Sequence, residues 1–297
     1  MEDLKNCAKL EYLDLGNNFF SGAVPDISSL SQLRYLHLNS GFSGNFPWKS
    51  LQNMTGLVRL SLGDNPFNFS PIPTEERFQL GLEASRSKST LDLSSNLMTG
   101  KIPAEIGNLI NLWQLELYNN SFTGKLPVGL GNLTKLEMFD ASMNSLEGDL
   151  SELRFLSNLV SLQLSNNNLS GRVPAELGEF KKLVNLSLFS NRLTGPLPQK
   201  IGSWAQFNFI DVSENFLNGP IPPDMCKEGT LDMLLMLKNN LTGGISATYA
   251  DCSSLTRFRV NQNLVSGTVP SGIWGLPNLN IIDIASNNIE ERITSDI

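Results

Sequence analysis

The sequence is poor in the side chains that most enzymes and metal sites need. It has one histidine, His37, and three cysteines among 297 residues. A zinc site needs several His or Cys ligands at close spacing, and no Ser-His-Asp set can be assembled around a single imidazole. Acids such as Asp140 and Asp211 are too far apart in the chain for glycosidase chemistry. We therefore expect a protein that is not an enzyme and binds neither a metal nor a cofactor, with His37 as an ordinary surface residue.

Basic charge and long apolar runs are scarce as well. The formal net charge is −7 and the pI is near 4.9, whereas a nucleic-acid binder needs a basic stripe to neutralise phosphates. No apolar run approaches the ~18–20 residues of a membrane-spanning helix, and the polar residues 1–6 do not resemble a secretory signal. We expect no nucleic-acid partner, and neither export nor anchoring encoded by these residues.

A repeat, L-x-x-L-x-L-x-x-N-x-L-x-G-x-ϕ-P, runs through the chain. It is clear in LWQLELYNNSFTGKLP from Leu112 and in LVNLSLFSNRLTGPLP from Leu183. From Asn96 onward the signature asparagines are 24, 24, 23, 24, 24, 24, 24 and 24 residues apart. Such a constant period predicts a stack of repeats rather than a globular core. The signature asparagines are Asn18, Asn65, Asn96, Asn120, Asn144, Asn167, Asn191, Asn215, Asn239, Asn263 and Asn287.

Each fixed position in the repeat has a physical role. The L-x-L segment predicts a short strand whose leucines point inward while the x residues face outward, and one repeat cannot bury its leucines without neighbours. The asparagine can satisfy backbone groups where the strand turns into the loop. The pattern predicts an α/β-type leucine-rich-repeat solenoid, a curved horseshoe or superhelix. Its parallel sheet lies on the concave face, with short 3-10 or irregular segments on the convex face, in a single domain of about twelve repeats over residues 1–297.

Two places depart from the repeat. Gly41 stands where an asparagine is expected, and the stretch 66–89 makes the interval from Asn65 to Asn96 31 residues long. This stretch is either an insertion or, as we favour, a deletion that fused the remnants of two repeats. Neither end of the sequence carries the polar cap that solenoids need, so we expect a fragment of a longer protein.

The segment that follows each strand resembles one plant family in particular. IPAEIGNL, LPVGLGNL and VPAELGEF are similar to the plant-specific repeat of receptor-like kinases and receptor-like proteins. GNFPWKSLQN, INLWQLELYNNS, GPIPPDMC and GTVPSGIWGLPNL resemble the ectodomains of subfamily XI receptor-like kinases of the HAIKU and HAESA types. The sequence is thus identified as similar to an ectodomain fragment, without the signal peptide, caps, transmembrane helix and kinase of that family.

The resemblance implies a function. Such receptors lie at the plasma membrane, recognise small secreted peptides on the extracellular face, and signal with a co-receptor kinase through a cytoplasmic Ser/Thr kinase domain. This sequence contains no glycine-rich loop, catalytic loop or DFG segment of a kinase. The alternatives are a secreted leucine-rich-repeat inhibitor of cell-wall enzymes and a truncated receptor without function.

An Arg-x-Arg motif is the sharpest local feature. In the repeat frame Phe258 points into the core, so Arg257 and Arg259 emerge together on the concave face. Two adjacent guanidinium groups suit a carboxylate, which arginine binds through two parallel hydrogen bonds. The resemblance implies that this pair binds the free C-terminal carboxylate of a peptide. The alternative is a solvated pair neutralised by acidic neighbours.

Four further residues complete the predicted ligand site. Phe209, Asp211, Met233 and Leu235 fall in outward positions of the preceding repeats. An apolar track with an interspersed acid suits an extended peptide with a basic residue. The alternative is ordinary packing of large side chains along the sheet.

The sequence also offers candidate modifications. Cys226 and Cys252 lie in the loops of successive repeats and either meet as a disulfide or remain thiols, while Cys7 has no candidate partner. Seven N-x-S/T sequons favour a secreted glycoprotein, although Asn185 falls in a concave strand position where a glycan would obstruct a ligand. The sequon asparagines are Asn53, Asn68, Asn119, Asn132, Asn168, Asn185 and Asn240.

Overall fold

The protein forms two compact units, Met1–Glu147 and Gly148–Ile297. The structure, a computed structural model, describes residues 2–39, 41–67 and 87–290. Each unit is built from stacked repeats, as predicted. The expectation of a single domain over residues 1–297 stays a prediction.

The strands of the first unit are short and parallel. In chain order they are β1 (Tyr12–Asp14), β2 (Tyr35–His37), β3 (Arg59–Ser61), β4 (Ser89–Asp92), β5 (Thr99–Lys101), β6 (Leu112–Glu116), β7 (Ser121–Gly124), β8 (Met138–Asp140) and β9 (Ser145–Gly148). Strands β1-β2-β3-β4-β6-β8 lie side by side in one sheet, here called the ladder sheet. Strands β5, β7 and β9 form a second sheet, the side sheet.

The second unit repeats this plan. Its strands are β10 (Ser161–Gln163), β11 (Asn168–Gly171), β12 (Asn185–Ser187), β13 (Arg192–Pro196), β14 (Phe209–Asp211), β15 (Phe216–Gly219), β16 (Met233–Leu235), β17 (Asn240–Gly243), β18 (Arg257–Arg259), β19 (Leu264–Gly267), β20 (Ile281–Asp283) and β21 (Asn288–Ile289). The even-numbered strands form its ladder sheet, in which strands pair without a register shift from β10 to β20. The odd-numbered strands from β11 to β21 form its side sheet.

The helical segments in the described residues are short 3-10 helices. They are Glu2–Asn6, Trp48–Asn53, Ala104–Asn108, Leu130–Asn132, Ser151–Phe155, Ala175–Glu179, Ala247–Asp251 and Ser271–Gly275. Several follow a proline that fixes an extended approach, as Pro103 does before Ala104–Asn108. The predicted leucine-rich-repeat fold class, with a parallel sheet and 3-10 segments, is therefore confirmed.

Leucines of the repeat fill the core. Leu186 in β12 and Leu234 in β16 are fully buried, while the residues on either side of each face away from the core. We call the face that carries these outward residues the open face of the ladder sheet. Burying one leucine contributes roughly 1.5–3 kcal/mol, and neighbouring repeats supply the cover.

The signature asparagines hydrogen-bond adjacent repeats together. Asn191 donates from Nδ2 to the carbonyl oxygens of Leu188 (3.1 Å) and Phe189 (3.3 Å) in its own repeat and of Leu164 (2.9 Å) in the preceding one. Its Oδ1 accepts the backbone N–H of Leu169 at 3.0 Å. The same pattern recurs at Asn215, Asn239, Asn263 and Asn287. The predicted role of the asparagine is confirmed.

Steric crowding explains why position 41 is a glycine and not the asparagine of the repeat. Gly41 has a φ of +102°, and a Cβ at this position would lie 2.0 Å from the carbonyl oxygen of Phe20. An asparagine side chain has no room there. The N–H of Phe42 still donates to Oδ1 of Asn65 in the next repeat, as the corresponding N–H of Leu169 does to Asn191.

The long interval after Asn65 is one repeat step. Strand β3 pairs directly with β4, with Arg59 opposite Thr90 and Ser61 opposite Asp92. Residues 68–86 of the irregular stretch lie outside the described residues. An inserted loop and a fusion of two repeats would both leave β3 beside β4, so the pairing does not distinguish them. Our preference for a fusion stays a prediction.

Candidate functional site

The register of the second unit brings the predicted ligand residues into one patch. Strands β14, β16 and β18 pair in parallel, so Phe209, Met233 and Arg257 form one row across the open face. Asp211, Leu235 and Arg259 form a second row. Neighbouring strands are about 4.8 Å apart, so the six side chains make a continuous surface. We call this surface the six-residue patch.

Both arginines of the motif lie on the open face. Phe258 between them is fully buried, Arg257 is exposed, and Arg259 is half-buried. Residues two apart on a strand point to the same side and are separated by about 6.6 Å along it. The structure thus places both arginines on the side of the strand that the alternating pattern predicted.

Asp283 is a partner of this site that the sequence analysis missed. It lies opposite Arg259 in the register of β18 and β20, and its Oδ2 accepts a hydrogen bond from Nη2 of Arg259 at 3.2 Å. The signal was available, because Asp283 occupies the same outward position of its repeat as Arg259. The guanidinium of Arg257 forms no hydrogen bond or ion pair with any residue in the described ranges.

Asp211, the acid of the six-residue patch, is half-buried. Burial raises the pKa of Asp211 above its ordinary value, and this effect exceeds the opposing influence of the hydrogen bonds from Ser213 and of the charge on Arg259. The backbone N–H of Ser213 donates to Oδ1 of Asp211 at 3.0 Å. A cationic group brought to this position would stabilise the charged carboxylate.

The apolar members of the patch remain accessible. Phe209, Met233 and Leu235 are half-buried on the open face, in contrast to the fully buried Ile210 and Leu234 between them. Asn185, a predicted sequon, lies directly opposite Phe209 in the same row. A glycan there would border the patch on the side away from Arg257.

The open face of the first unit carries a row of acids. Asp92, Glu116 and Asp140 lie on consecutive strands in register. Burial raises the pKa of Glu116 to about 7, and the charges of Asp140 and Asp92 add to the effect against a hydrogen bond from Gln114. The same row continues through Ser61 to His37 and ends at Asp14, with Nδ1 of His37 3.4 Å from Oδ2 of Asp14.

Two of the three cysteines form a disulfide. Cys226 and Cys252 are joined with a Cα–Cα distance of 5.8 Å, and Cys7 is a free, exposed thiol.

The predicted sequons differ in exposure. Asn185 is half-buried, and Asn68 lies outside the described residues. The exposed sequon asparagines are Asn53, Asn119, Asn132, Asn168 and Asn240.

The helices of the described ranges are all too short or too polar to cross a bilayer. Within the same ranges, His, Cys, Asp and Glu side chains do not gather in threes in a way that would hold a metal ion.

The fold and the repeat are those of a leucine-rich-repeat protein, and they are similar to the ectodomains of plant receptor kinases. The Leucine Rich Repeat family profile matches residues 9–30, 89–109, 111–133 and 158–180. The resemblance to receptor-like kinase ectodomains predicted from the repeats is confirmed by the relatives below.

Two curated proteins of Arabidopsis thaliana are similar in sequence. Receptor-like protein kinase 7 is 58% identical over 108 residues, which are 36% of this chain and 10% of that protein. Receptor-like protein kinase HAIKU2 is 52% identical over 102 residues, 34% of this chain and 10% of that protein. Each match thus covers a small part of a much longer protein.

Solved receptor ectodomains share the fold over nearly the whole chain. The Arabidopsis receptor kinase HAESA, solved with the peptide hormone IDA and the co-receptor SERK1, is 38% identical with a TM-score of 0.86. The match covers 96% of this chain and 48% of that one. A TDR receptor is 35% identical with a TM-score of 0.91, covering 98% and 50%. The chain therefore spans about half the length of these ectodomains.

Proposed function

We propose that this chain is an extracellular, ligand-binding part of a peptide-hormone receptor kinase at the plasma membrane. The observation that carries the proposal is the six-residue patch, where two arginines stand beside an apolar track on the open face. The part of the receptor described here recognises the ligand, and catalysis belongs to a kinase domain elsewhere in such a receptor. The partners are a small secreted peptide and the ectodomain of a co-receptor kinase.

The chemistry of the patch indicates how a peptide lies on it. The arginines suit the free C-terminal carboxylate, because planar guanidinium groups bind carboxylates through charge-assisted hydrogen bonds. Met233 and Leu235 offer apolar contact to the preceding residues, and Asp211 suits a basic side chain. An extended peptide then crosses the strands from β18 toward β14.

The sequons fit a secreted glycoprotein. The exposed asparagines lie on loops, 3-10 segments and the side sheet, and not on the ladder-sheet strands that form the patch. We propose that Asn185 carries no glycan, since a glycan beside Phe209 would obstruct the apolar end of the patch.

Replacing both arginines tests the proposal. The double variant Arg257→Ala/Arg259→Ala should lower the affinity for peptides with a free carboxyl terminus at least ~100-fold, since a hydrogen bond to a charged group contributes about 1.5–3 kcal/mol. Binding of pools of synthetic dodecapeptides of randomised sequence, measured by mass spectrometry of the retained peptides, gives the readout.

The matched control removes two positive charges elsewhere. Arg172 and Arg192 are exposed in the same unit, so Arg172→Ala/Arg192→Ala changes the net charge equally and should bind like the wild type. Unchanged binding by the variant of the arginine pair would contradict the proposal. Inhibition of a cell-wall hydrolase by the wild-type chain would favour the inhibitor alternative instead.

A further inference from the structure

The two arginines of the patch have different electrostatic surroundings. Arg259 lies in a row between two carboxylates, with Asp283 hydrogen-bonded to it at 3.2 Å and Asp211 two strands away on the other side. Asp211 lies in register with Leu235 and Arg259, and the charge of Arg259 opposes the rise that burial causes in the pKa of Asp211. This row carries one cation and two anions.

The row of Arg257 has no acid beside it. The neighbours of Arg257 are Met233 on one strand and Ile281 on the other. Ile281 is 40% exposed, and Arg257 is exposed as well. No residue of the described ranges forms an ion pair with this guanidinium. The guanidinium of Arg257 is thus exposed and has no acidic partner in the described ranges.

An incoming anion therefore meets unequal arginines. At Arg259 it must share a guanidinium that already binds a carboxylate, and Asp283 repels it. At Arg257 it meets an exposed guanidinium without an acidic partner, so no carboxylate competes for its donors. The guanidinium of Arg259, held by Asp283, is in turn fixed in place and loses less side-chain freedom when a ligand oxygen approaches.

We propose that Asp283 is a positioning residue that divides the recognition of the ligand between the two arginines. Arg257 takes the terminal carboxylate and distinguishes it from a neutral group. Arg259, held and partly neutralised by Asp283, donates to an uncharged oxygen of the terminal residue. This inference rests on the proposed function for the identity of the ligand, whereas the pairing of Asp283 with Arg259 is testable without any ligand.

The ligand-free experiment uses phenylglyoxal, which modifies accessible guanidinium groups, with the rate at each arginine measured by mass spectrometry after proteolysis. In the wild-type chain Arg257 should react faster than Arg259. Asp283→Asn, which keeps the size and removes the charge, should accelerate modification of Arg259 about 2- to 5-fold, the range expected for loss of a partly exposed ion pair. The rate at Arg257 should stay the same.

Asp211→Asn is the matched control for this measurement. It removes an acid from the same row that makes no hydrogen bond to Arg259, and should change the rate at Arg259 less than Asp283→Asn does. Equal effects of the two variants, or an unchanged rate at Arg259 in Asp283→Asn, would overturn the positioning role.

A second experiment tests the division between the arginines. A pool of randomised dodecapeptides is made once with a free carboxyl terminus and once with a C-terminal amide. Arg257→Ala should abolish the preference for the free carboxylate, while Arg259→Ala should weaken binding of both pools and keep the preference. Loss of the preference in Arg259→Ala alone would overturn the inference. If the wild-type chain binds neither pool, the proposed function fails, while the phenylglyoxal rates still decide the role of Asp283.

Discussion

At the scale of single residues, the signature asparagine hydrogen-bonds to backbone groups of two neighbouring repeats. Asn191 uses its amide nitrogen for three carbonyl oxygens and its amide oxygen for one backbone N–H. The side chain is 7% exposed, so water cannot replace these partners. A buried backbone group left without a partner costs about 1–3 kcal/mol.

Asn191→Ala should therefore lower the free energy of unfolding by about 2–4 kcal/mol, because it leaves several buried backbone groups unpaired. The midpoint of urea unfolding measures this loss. Asn218→Ala is the control, since Asn218 is exposed on the side sheet and should change stability by less than about 0.5 kcal/mol. Equal midpoints for Asn191→Ala and the wild type would show that the hydrogen-bond ladder contributes little.

The residue before each signature asparagine was not predicted. In the described ranges eleven such residues have a positive φ of 49–58°, among them Met143, Ser190 and Lys238. Sequence gave no sign of this, because the residue types are unrelated and only a few are the asparagine or aspartate that tolerate this region. The turn geometry demanded by the asparagine bonds imposes the conformation.

At the scale of elements, the strands that carry the patch are tied together at one end. The disulfide between Cys226 and Cys252 joins the segments that precede β16 and β18. Cys252 ends the 3-10 segment Ala247–Asp251 and lies five residues before Arg257. The covalent link thus fixes two neighbouring strands of the six-residue patch.

Removing this link should destabilise the second unit. Cys226→Ser/Cys252→Ser should cost about 2–4 kcal/mol, since the closed loop no longer restricts the unfolded chain, and thermal unfolding followed by circular dichroism measures it. Cys7→Ser, at an exposed free thiol, is the control and should melt like the wild type. Identical melting of the double variant and the oxidised wild type would contradict a stabilising role.

The six-residue patch shows which features of a site can be predicted from strand alternation and repeat period. The alternation of strand residues placed Phe209, Met233 and Arg257 on the outward side, and the fixed period placed them in one row. The same period places Asp283 opposite Arg259 in the next repeat, but a repeat pattern does not indicate which side chains bind each other. Which guanidinium is free and which is paired depends on side-chain geometry that no periodicity contains.

At the scale of the whole molecule, acids outnumber bases and some of them are crowded. Glu116 lies between Asp92 and Asp140, and in the described ranges no lysine or arginine pairs with these three carboxylates. The pKa of Glu116 is raised from 4.5 to about 7, chiefly by burial. Folding therefore favours the protonated form of this group.

The stability of the protein should consequently fall as the pH rises. The unfolded carboxyl group loses its proton near pH 4.5 and the folded one near pH 7, so the free energy of unfolding decreases across this window and stays lower above it. Glu116→Gln should remove about 1–2 kcal/mol of this decrease, an amount reduced by the partial exposure of the side chain. Urea unfolding at a series of pH values measures the slope.

Glu147→Gln is the control for the pH series. Glu147 is exposed, so its replacement should leave the slope unchanged. The explanation fails if Glu116→Gln and the wild type show the same pH dependence between pH 4.5 and 7.

The sequence by itself determined the repeat, the direction in which each strand residue points, and the pairing of strands one repeat apart. These follow from a constant period and from the need of leucines and asparagines to find partners in the next repeat. Only the tertiary structure decided that the carbonyl of Phe20 leaves no room for a side chain at Gly41. It also decided that Asp283 binds Arg259 and that Glu116 is half-buried between two acids. Those contacts depend on distances between side chains of different repeats, which packing sets and which a repeat pattern leaves open.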